Sequence, residues 1–364
     1  MSYLAISFAP VQGFIEKSRK LRDLYGASLI LSHLTFKIVE AAQAPDCEVI
    51  SPGSPNVQLG MPNRILLQGN WDGDAIRAAF IQAWSVVLSH CREWIVNQLP
   101  HYTYEWDKEW GYWKNHTWEI FFGTGDSVEL AMFALEQKKL SRAWIAPNWI
   151  GESSSLTGTD AIAWPGLGSE SINPRTYPEA GDREGIDRFY YELACKLEGK
   201  EPKSITPTKQ EMEEFLHGFL DPNERLSIPE LAKRLITKES IAKSIGMISL
   251  EELAKQSDKS RSKAGFTEIL RRPRKGSEEG DGQWTGWFMG DGDKMGDCLK
   301  ELSRCANCDE LLPKFSKRMR NWGKAFQEKF DQKLGRVVYA GGDDFLGVLY
   351  HPDFDRDRHN NRIS

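Results

Sequence analysis

Nowhere in the 364 residues is there a run approaching the ~20 apolar side chains that a membrane-spanning helix requires. The opening stretch, MSYLAISFAPVQGF, has neither a basic start nor a long apolar core, so no signal peptide is expected. Cysteine is scarce and scattered, with six in all. That argues against a disulfide framework and suits a reducing cytoplasm. An excess of one charge sign is also lacking. A net charge of −5 argues against a generic polyanion binder and leaves room for local basic patches.

What the chain does have is length for two or three domains with sizeable cores. It is also rich in tryptophan, with 13 residues. Trp106, Trp110, Trp113 and Trp118 fall in one short stretch, at spacings that suit one helix face. A buried aromatic seam is favoured there over a base-stacking platform.

The hydrophobic pattern predicts strands at 3–9, 47–51, 64–69 and 118–123. Between them lie a helical stretch from Val11 to about Ala42, broken at Gly26, and a long amphipathic helix near 74–99. In that second helix Ile76, Phe80, Ala83, Val87 and Cys91 share a face. The order β-α-β-β-α-β is ferredoxin-like, as in polymerase and cyclase palms. A further helix follows at about 127–144. Residues from Pro147 to about Pro207 are rich in Gly, Ser and Pro and read as an excursion from the core. Helix resumes at about 208–257, and two charged, linker-like pieces follow. The first pattern then restarts, with a strand at 282–290, a helix at 311–334 and a hairpin at 337–350. The second unit lacks its last helix and strand, and HPDFDRDRHNNRIS (351–364) reads as a polar tail. The fold class expected is therefore α+β, with two ferredoxin-like, palm or nucleotide cyclase-like domains separated by a mainly helical insert. The second palm is incomplete. The boundaries are 1–146 for the first palm, 147–275 for the linker and insert, and 282–350 for the second palm.

The hairpin VVYAGGDDFLGVLY carries Asp343 and Asp344 at its tip, behind Gly341 and Gly342. Alone, the tetrapeptide reads equally well as a turn. A second acidic motif, MGDGDKMG, places Asp291, Gly292 and Asp293 at the end of the preceding strand. In a β-α-β-β unit that strand lies beside the hairpin, which would bring Asp291, Asp343, Asp344 and the Gly292 carbonyl around one point. Hard oxygen ligands of this kind suit Mg²⁺ or Mn²⁺. The two glycines would let a ribose or base approach the hairpin backbone. Both motifs at palm spacing point to nucleotidyl transfer or cyclisation.

MGDGDKMGD and YAGGDDFLGVL, with FAPVQGFIEKSRKLRDLYGASLILS, MPNRILL and ERLSIPELAKRL, closely resemble the large palm-domain subunit of type III CRISPR effector complexes, in its Cmr-like (III-B) branch. The resemblance implies two facing cyclase-like palms. The second would convert ATP into cyclic oligoadenylates once the crRNA-guided complex has bound target RNA. It puts metal binding on Asp291, Asp343 and Asp344. Gly341, Gly342, Gly292 and Asp293 fall in the nucleotide-binding motifs. The first palm, with LGMPNR at its hairpin, would shape the pocket without carrying metal. Partners implied are the other effector subunits, crRNA and target RNA, with ATP as substrate.

The sequence departs from the family in three ways. No histidine precedes an aspartate, so an HD nuclease activity is not expected. ESSSLTGTDA stands where the family's zinc insert has paired cysteines, and Cys305 with Cys308 is a lone pair with Cys298 as sole further candidate, so zinc is not expected. The incomplete second palm leaves a catalytically silent scaffold as the alternative. A free-standing diguanylate cyclase or other palm polymerase is disfavoured, because it would not carry two unlike palms. Lys17, Arg19, Lys20 and Arg22 read as a solvated helix face or as a nucleotide or RNA contact. ILRRPRKG (269–276) reads as a basic linker or an RNA-backbone contact.

Overall fold

A computed structural model describes residues 2–53, 57, 60–142, 149, 151–169, 177–216, 218–247, 284–331, 334–341 and 343–351. The expected polar tail, apart from its first residue His351, and the ILRRPRKG stretch lie outside them.

The first unit runs β1 (Tyr3–Ala9), α1 (Val11–Glu16), α2 (Leu21–Ala41), β2 (Cys47–Ser51), β3 (Arg64–Gly69), α3 (Gly73–Gln98), α4 (Asp107–His116), β4 (Glu119–Gly125) and α5 (Val128–Leu140). Its strands pair antiparallel in the order β2-β3-β1-β4, the ferredoxin-like arrangement. Alternation along each strand divides the side chains between two faces. Leu4, Ile6 and Phe8 of β1 join Ile65 and Leu67 of β3 in the main core, together with Leu34 and Ile38 of α2 and Phe80, Trp84 and Val87 of α3. Tyr3, Ala5 and Leu66 face the other way, into a smaller cluster with Val128, Ala131 and Leu135 of α5.

The tryptophan stretch forms the buried seam. Trp106 and Trp110 meet edge-on at 5.5 Å, and Trp118 meets Phe8 and Trp84 edge-on at 5.7 and 5.8 Å. The Pro147–Pro207 stretch differs from expectation. Ala161, Ile162, Ala163 and Leu167 are buried in the main core, and α6 (Ala180–Leu197) sends Phe189, Tyr190 and Leu193 into it. The flanking Gly, Ser and Pro masked this short aromatic helix.

Beyond α6 lie α7 (Lys209–Glu213), α8 (Ile228–Leu235) and α9 (Glu239–Ser244). Proline at the start of α8 and a capping box between Ser227 and Glu230 fix its N-terminus. Lys233 and Arg234 on α8 are fully buried. The Lys233 ammonium donates to the Phe14 carbonyl at 3.0 Å and to that of Lys17, so it caps the C-terminal end of α1. Burial lowers its pKa to about 8. Arg234 donates to both carboxylate oxygens of Asp23, at 2.5 and 2.8 Å, and to Glu224 at 2.7 Å.

These contacts revise two expectations. The basic run is neither a solvated face nor a free surface for RNA along most of its length. Lys17 pairs with Asp160 and Lys20 with Glu224, both at 2.8 Å, while the Arg22 guanidinium lies 4.0 Å from the centre of the Phe219 ring. The run fastens the helical insert to the first sheet. The helix break falls at residues 17–20, not at Gly26. Asp23 sets the new start by accepting from the Arg19 and Lys20 N–H groups at 3.2 and 3.0 Å. Gly26 lies inside α2 because α8 crosses there, and a Cβ would stand 1.9 Å from the Lys233 carbonyl oxygen. Alanine is the better helix former by up to ~1 kcal/mol, yet Gly26→Ala is expected to destabilise the protein by about 1–3 kcal/mol through overpacking. A lowered urea midpoint at unchanged slope is the expected result.

The second unit comprises β5 (Trp284–Gly290), α10 (Met295–Arg304), α11 (Cys308–Lys329), β6 (Gly335–Gly341) and β7 (Asp344–His351), with sheet order β5-β7-β6. This matches the order β1-β3-β2 of the first unit. Aromatic rings fill the space over its glycines. Phe345 covers Gly290, Phe288 covers Gly347, and Phe288 stacks on Phe330, the C-cap of α11, at 5.3 Å.

One stripe of α11 packs against the first unit. Asp309 accepts from the Tyr3 hydroxyl, Leu312 enters the smaller cluster, and the Ser316 hydroxyl accepts from Gly53 N–H at 2.7 Å. Among the described residues, no helix is long and apolar enough to cross a membrane.

Candidate metal and nucleotide site

The second sheet brings the two acidic motifs together because β7 is its central strand. Gly290, the last residue of β5, pairs with Phe345, and Gly341 at the end of β6 pairs with Asp344. Asp291 therefore leaves β5 beside the hairpin tip. One carboxylate oxygen from each of Asp291, Asp343 and Asp344 lies within 4.8 Å of the others. Asp291 and Asp344 are exposed and Asp343 is half-buried.

Such crowding carries an electrostatic cost. Burial, a hydrogen bond with Asp291 and the charges of Asp343 and Asp291 push the Asp344 carboxyl up to about 6. Three hard carboxylate oxygens at this spacing form a donor set suited to Mg²⁺ or Mn²⁺.

The remaining motif residues fall as follows. Gly292 is the contact point between the motifs, since a Cβ there would come 2.7 Å from the Asp343 Cβ. Its carbonyl accepts from Met295 N–H at 3.3 Å, in the turn into α10. Asp293 is exposed and stands outside the carboxylate cluster. Lys294, the N-cap of α10, adopts φ 56°, a left-handed conformation that non-glycine residues seldom take. Gly341 is half-buried beside Asp344, and Gly342 lies outside the described residues. Cys298 and Cys305 are exposed and Cys308 is half-buried.

Asp343 and Asp344 open onto a cleft of about 790 Å³ between the two units. Tyr339, Gly341, Asp343 and Asp344 line one wall. Ser28, Gly60, Met61 and Asn63 of the first unit line the other. Half-buried Tyr339 has its hydroxyl pKa raised, by burial first and then by the charges of Asp344 and Asp291. Residues 60–63 of the first-unit wall carry no acidic side chain, and Gly60 in that segment stands close to Tyr339 and Gly341 of the hairpin. Reading the sequence locates that segment but not Tyr339, Ser28 or Arg320. These residues reach the cleft through docking of the two units, which no local spacing reports.

Two family models match the chain. CRISPR-associated protein Cmr2, N-terminal, matches residues 3–59, and the Cas10/Cmr2 second palm domain matches residues 285–354. No curated protein matches. Among solved structures, the type III-B Cmr-beta complex in its apo state aligns at 11% identity and TM-score 0.45, over 98% of this chain and 60% of that one. Cmr-beta bound to cognate target RNA aligns at 11% and 0.44, over 96% and 60%. A Csm1–Csm4 cassette in complex with AMPPNP aligns at 13% and 0.37, over 97% and 45%. The chain thus spans about 60% of the Cmr-beta chain's length. Likenesses this distant carry no weight of their own. The two family models fall in order, one on β1, α1, α2 and β2, the other on the sheet that holds the three aspartates, and over those stretches the chain is similar to Cas10/Cmr2 proteins.

Proposed function

We propose that this chain is a subunit of a crRNA-guided type III CRISPR effector, and that it converts ATP into cyclic oligoadenylates when target RNA binds. The supporting observation is the convergence of Asp291, Asp343 and Asp344 within 4.8 Å, with Asp343 and Asp344 lining the inter-unit cleft. On this reading residues 1–146 form a first palm, 147–275 a linker and helical insert, and 282–350 the second palm.

Asp291, Asp343 and Asp344 would hold Mg²⁺ or Mn²⁺. Bound there, such ions supply activation of a 3′-hydroxyl nucleophile and charge neutralisation of a triphosphate. The chain's own groups provide the rest. The glycine at 341 leaves room for a ribose beside the hairpin, Tyr339 offers a hydroxyl and a ring edge, and the first-unit wall closes the opposite side. The cleft volume falls within the roughly 300–1,000 Å³ of small-molecule sites. The other effector subunits, crRNA and target RNA are the partners on this reading, and ATP is the substrate.

The test incubates the assembled complex with ATP and Mg²⁺ or Mn²⁺, with and without target RNA, and resolves products by chromatography. Cyclic oligoadenylate only in the RNA-containing arm is the expected result. Absence of product with both metals in a complex that still binds target RNA would favour the silent scaffold.

A further inference from the structure

The second unit grips the first through the stripe on α11 that carries Asp309, Leu312, Ser316 and Arg320. Ser316 and Arg320 are one helical turn apart and therefore share a face. Both bind backbone of the segment between β2 and β3, Ser316 at Gly53 and Arg320 at Gly60. Arg320 is almost fully buried and its guanidinium donates to the Gly60 carbonyl. The same segment is held on its other side by α2. The Ser32 hydroxyl accepts from Met61 N–H at 2.9 Å, and the Thr35 hydroxyl donates to the Pro62 carbonyl at 3.1 Å.

The position of that grip matters. Gly60 has φ +75°, and a Cβ there would stand 3.7 Å from the Tyr339 Cβ and 3.9 Å from the Gly341 Cα. The carbonyl that Arg320 holds therefore belongs to the residue that meets the hairpin bearing Asp343 and Asp344. Releasing it frees one wall of the cleft while leaving the three carboxylates, all within the second unit, where they are.

We propose that Arg320 is a positioning residue: its bond to the Gly60 carbonyl sets the distance between the first-unit segment 60–63 and the carboxylate-bearing hairpin, and so the width of the nucleotide cleft. This inference rests on the proposed ATP site for its functional consequence, but its structural content stands apart from it. Arg320 lies outside the carboxylate cluster, and its guanidinium is engaged by the Gly60 carbonyl at the cleft wall. It acts through Gly60, which a lysine at 320 could still reach with a single ammonium donor.

Three readouts on the full chain separate the outcomes. The first is Mn²⁺ affinity by electron paramagnetic resonance, the second is affinity for ATP in the presence of Mn²⁺, and the third is hydrogen exchange of the 60–66 segment. For Arg320→Ala the expected result is Mn²⁺ affinity within about twofold of wild type, ATP affinity weakened by about tenfold, and faster exchange at 60–66, because one charge-assisted bond has been removed. Arg320→Lys should recover most of the ATP affinity. Gly60→Ala, which strains the same contact from the other side, should weaken ATP binding by a similar factor and add little to the effect of Arg320→Ala. It also keeps the test open should Arg320→Ala fail to fold. Unchanged ATP affinity in both Arg320→Ala and Gly60→Ala, or in Gly60→Ala alone should Arg320→Ala fail to fold, with 60–66 exchange as in wild type, overturns the proposal. If wild type binds neither Mn²⁺ nor ATP, the site reading fails, and exchange at 60–66 alone still decides whether Arg320 holds the segment.

Discussion

Replacing Asp343 and Asp344 together with alanine is expected to abolish oligoadenylate formation, by at least about a thousandfold, or about 4 kcal/mol of barrier. The two residues supply two of the three oxygens that meet within 4.8 Å, and Asp291 alone cannot hold a divalent ion against water. Mn²⁺ binding should be lost in parallel. The metal-free fold should not suffer. Asp344 is held near a pKa of 6 by burial and by its acidic neighbours, so removing the crowding relieves repulsion. A melting temperature equal to or above that of metal-free wild type is therefore expected. Loss of activity accompanied by loss of folding would mean that the aspartates are structural. Equal product from wild type and variant would remove them from the chemistry altogether.

Asp23→Ala should produce the largest loss of stability, about 3–5 kcal/mol, the usual cost of stranding one partner of a buried ion pair. Arg234 is 0% exposed and Asp23 1%, so the guanidinium could not recover its lost partner from water. The same substitution removes the acceptor for the N–H groups that open α2. Urea unfolding followed by circular dichroism measures the loss. A change below about 1 kcal/mol would show that Glu224 alone satisfies Arg234.

The same pair sets an acid limit. Burial pushes the Asp23 carboxyl up, but the charge and hydrogen bonds of Arg234 hold it below the ordinary carboxylate value. A folded-state pKa that is depressed stabilises the protein above the unfolded value of about 3.9, and the benefit is lost as pH falls through the folded one. Wild type should therefore lose stability below about pH 4 more steeply than Asp23→Ala.

The strands were legible in the sequence because each is short, apolar and bounded by turn formers. β2 and β3 lie at the predicted residues. The two acidic motifs were legible as neighbours because β-α-β-β topology alone places strand one against the hairpin. What stayed hidden depends on contacts across long sequence separations. Gly26 looks like a break until α8 is laid across it. The run Lys17 to Arg22 looks like a surface for polyanions until Asp160, Glu224 and Phe219 arrive to occupy it. Arg320 is one cation among several on α11, and only docking of the two units shows that it faces a carbonyl.

The outer face of the first sheet, where Tyr3, Ala5 and Leu66 lie, is roofed jointly by α5 and by Leu312 of α11. Part of that roof thus comes from a residue more than 300 positions downstream of β1. A ribosome-bound nascent chain would complete this sheet and α5 long before the α11 part of the cover emerges, leaving a greasy strip bare in the meantime. Chaperone dependence during synthesis, and poor yield of any fragment ending before residue 308, are the practical outcome.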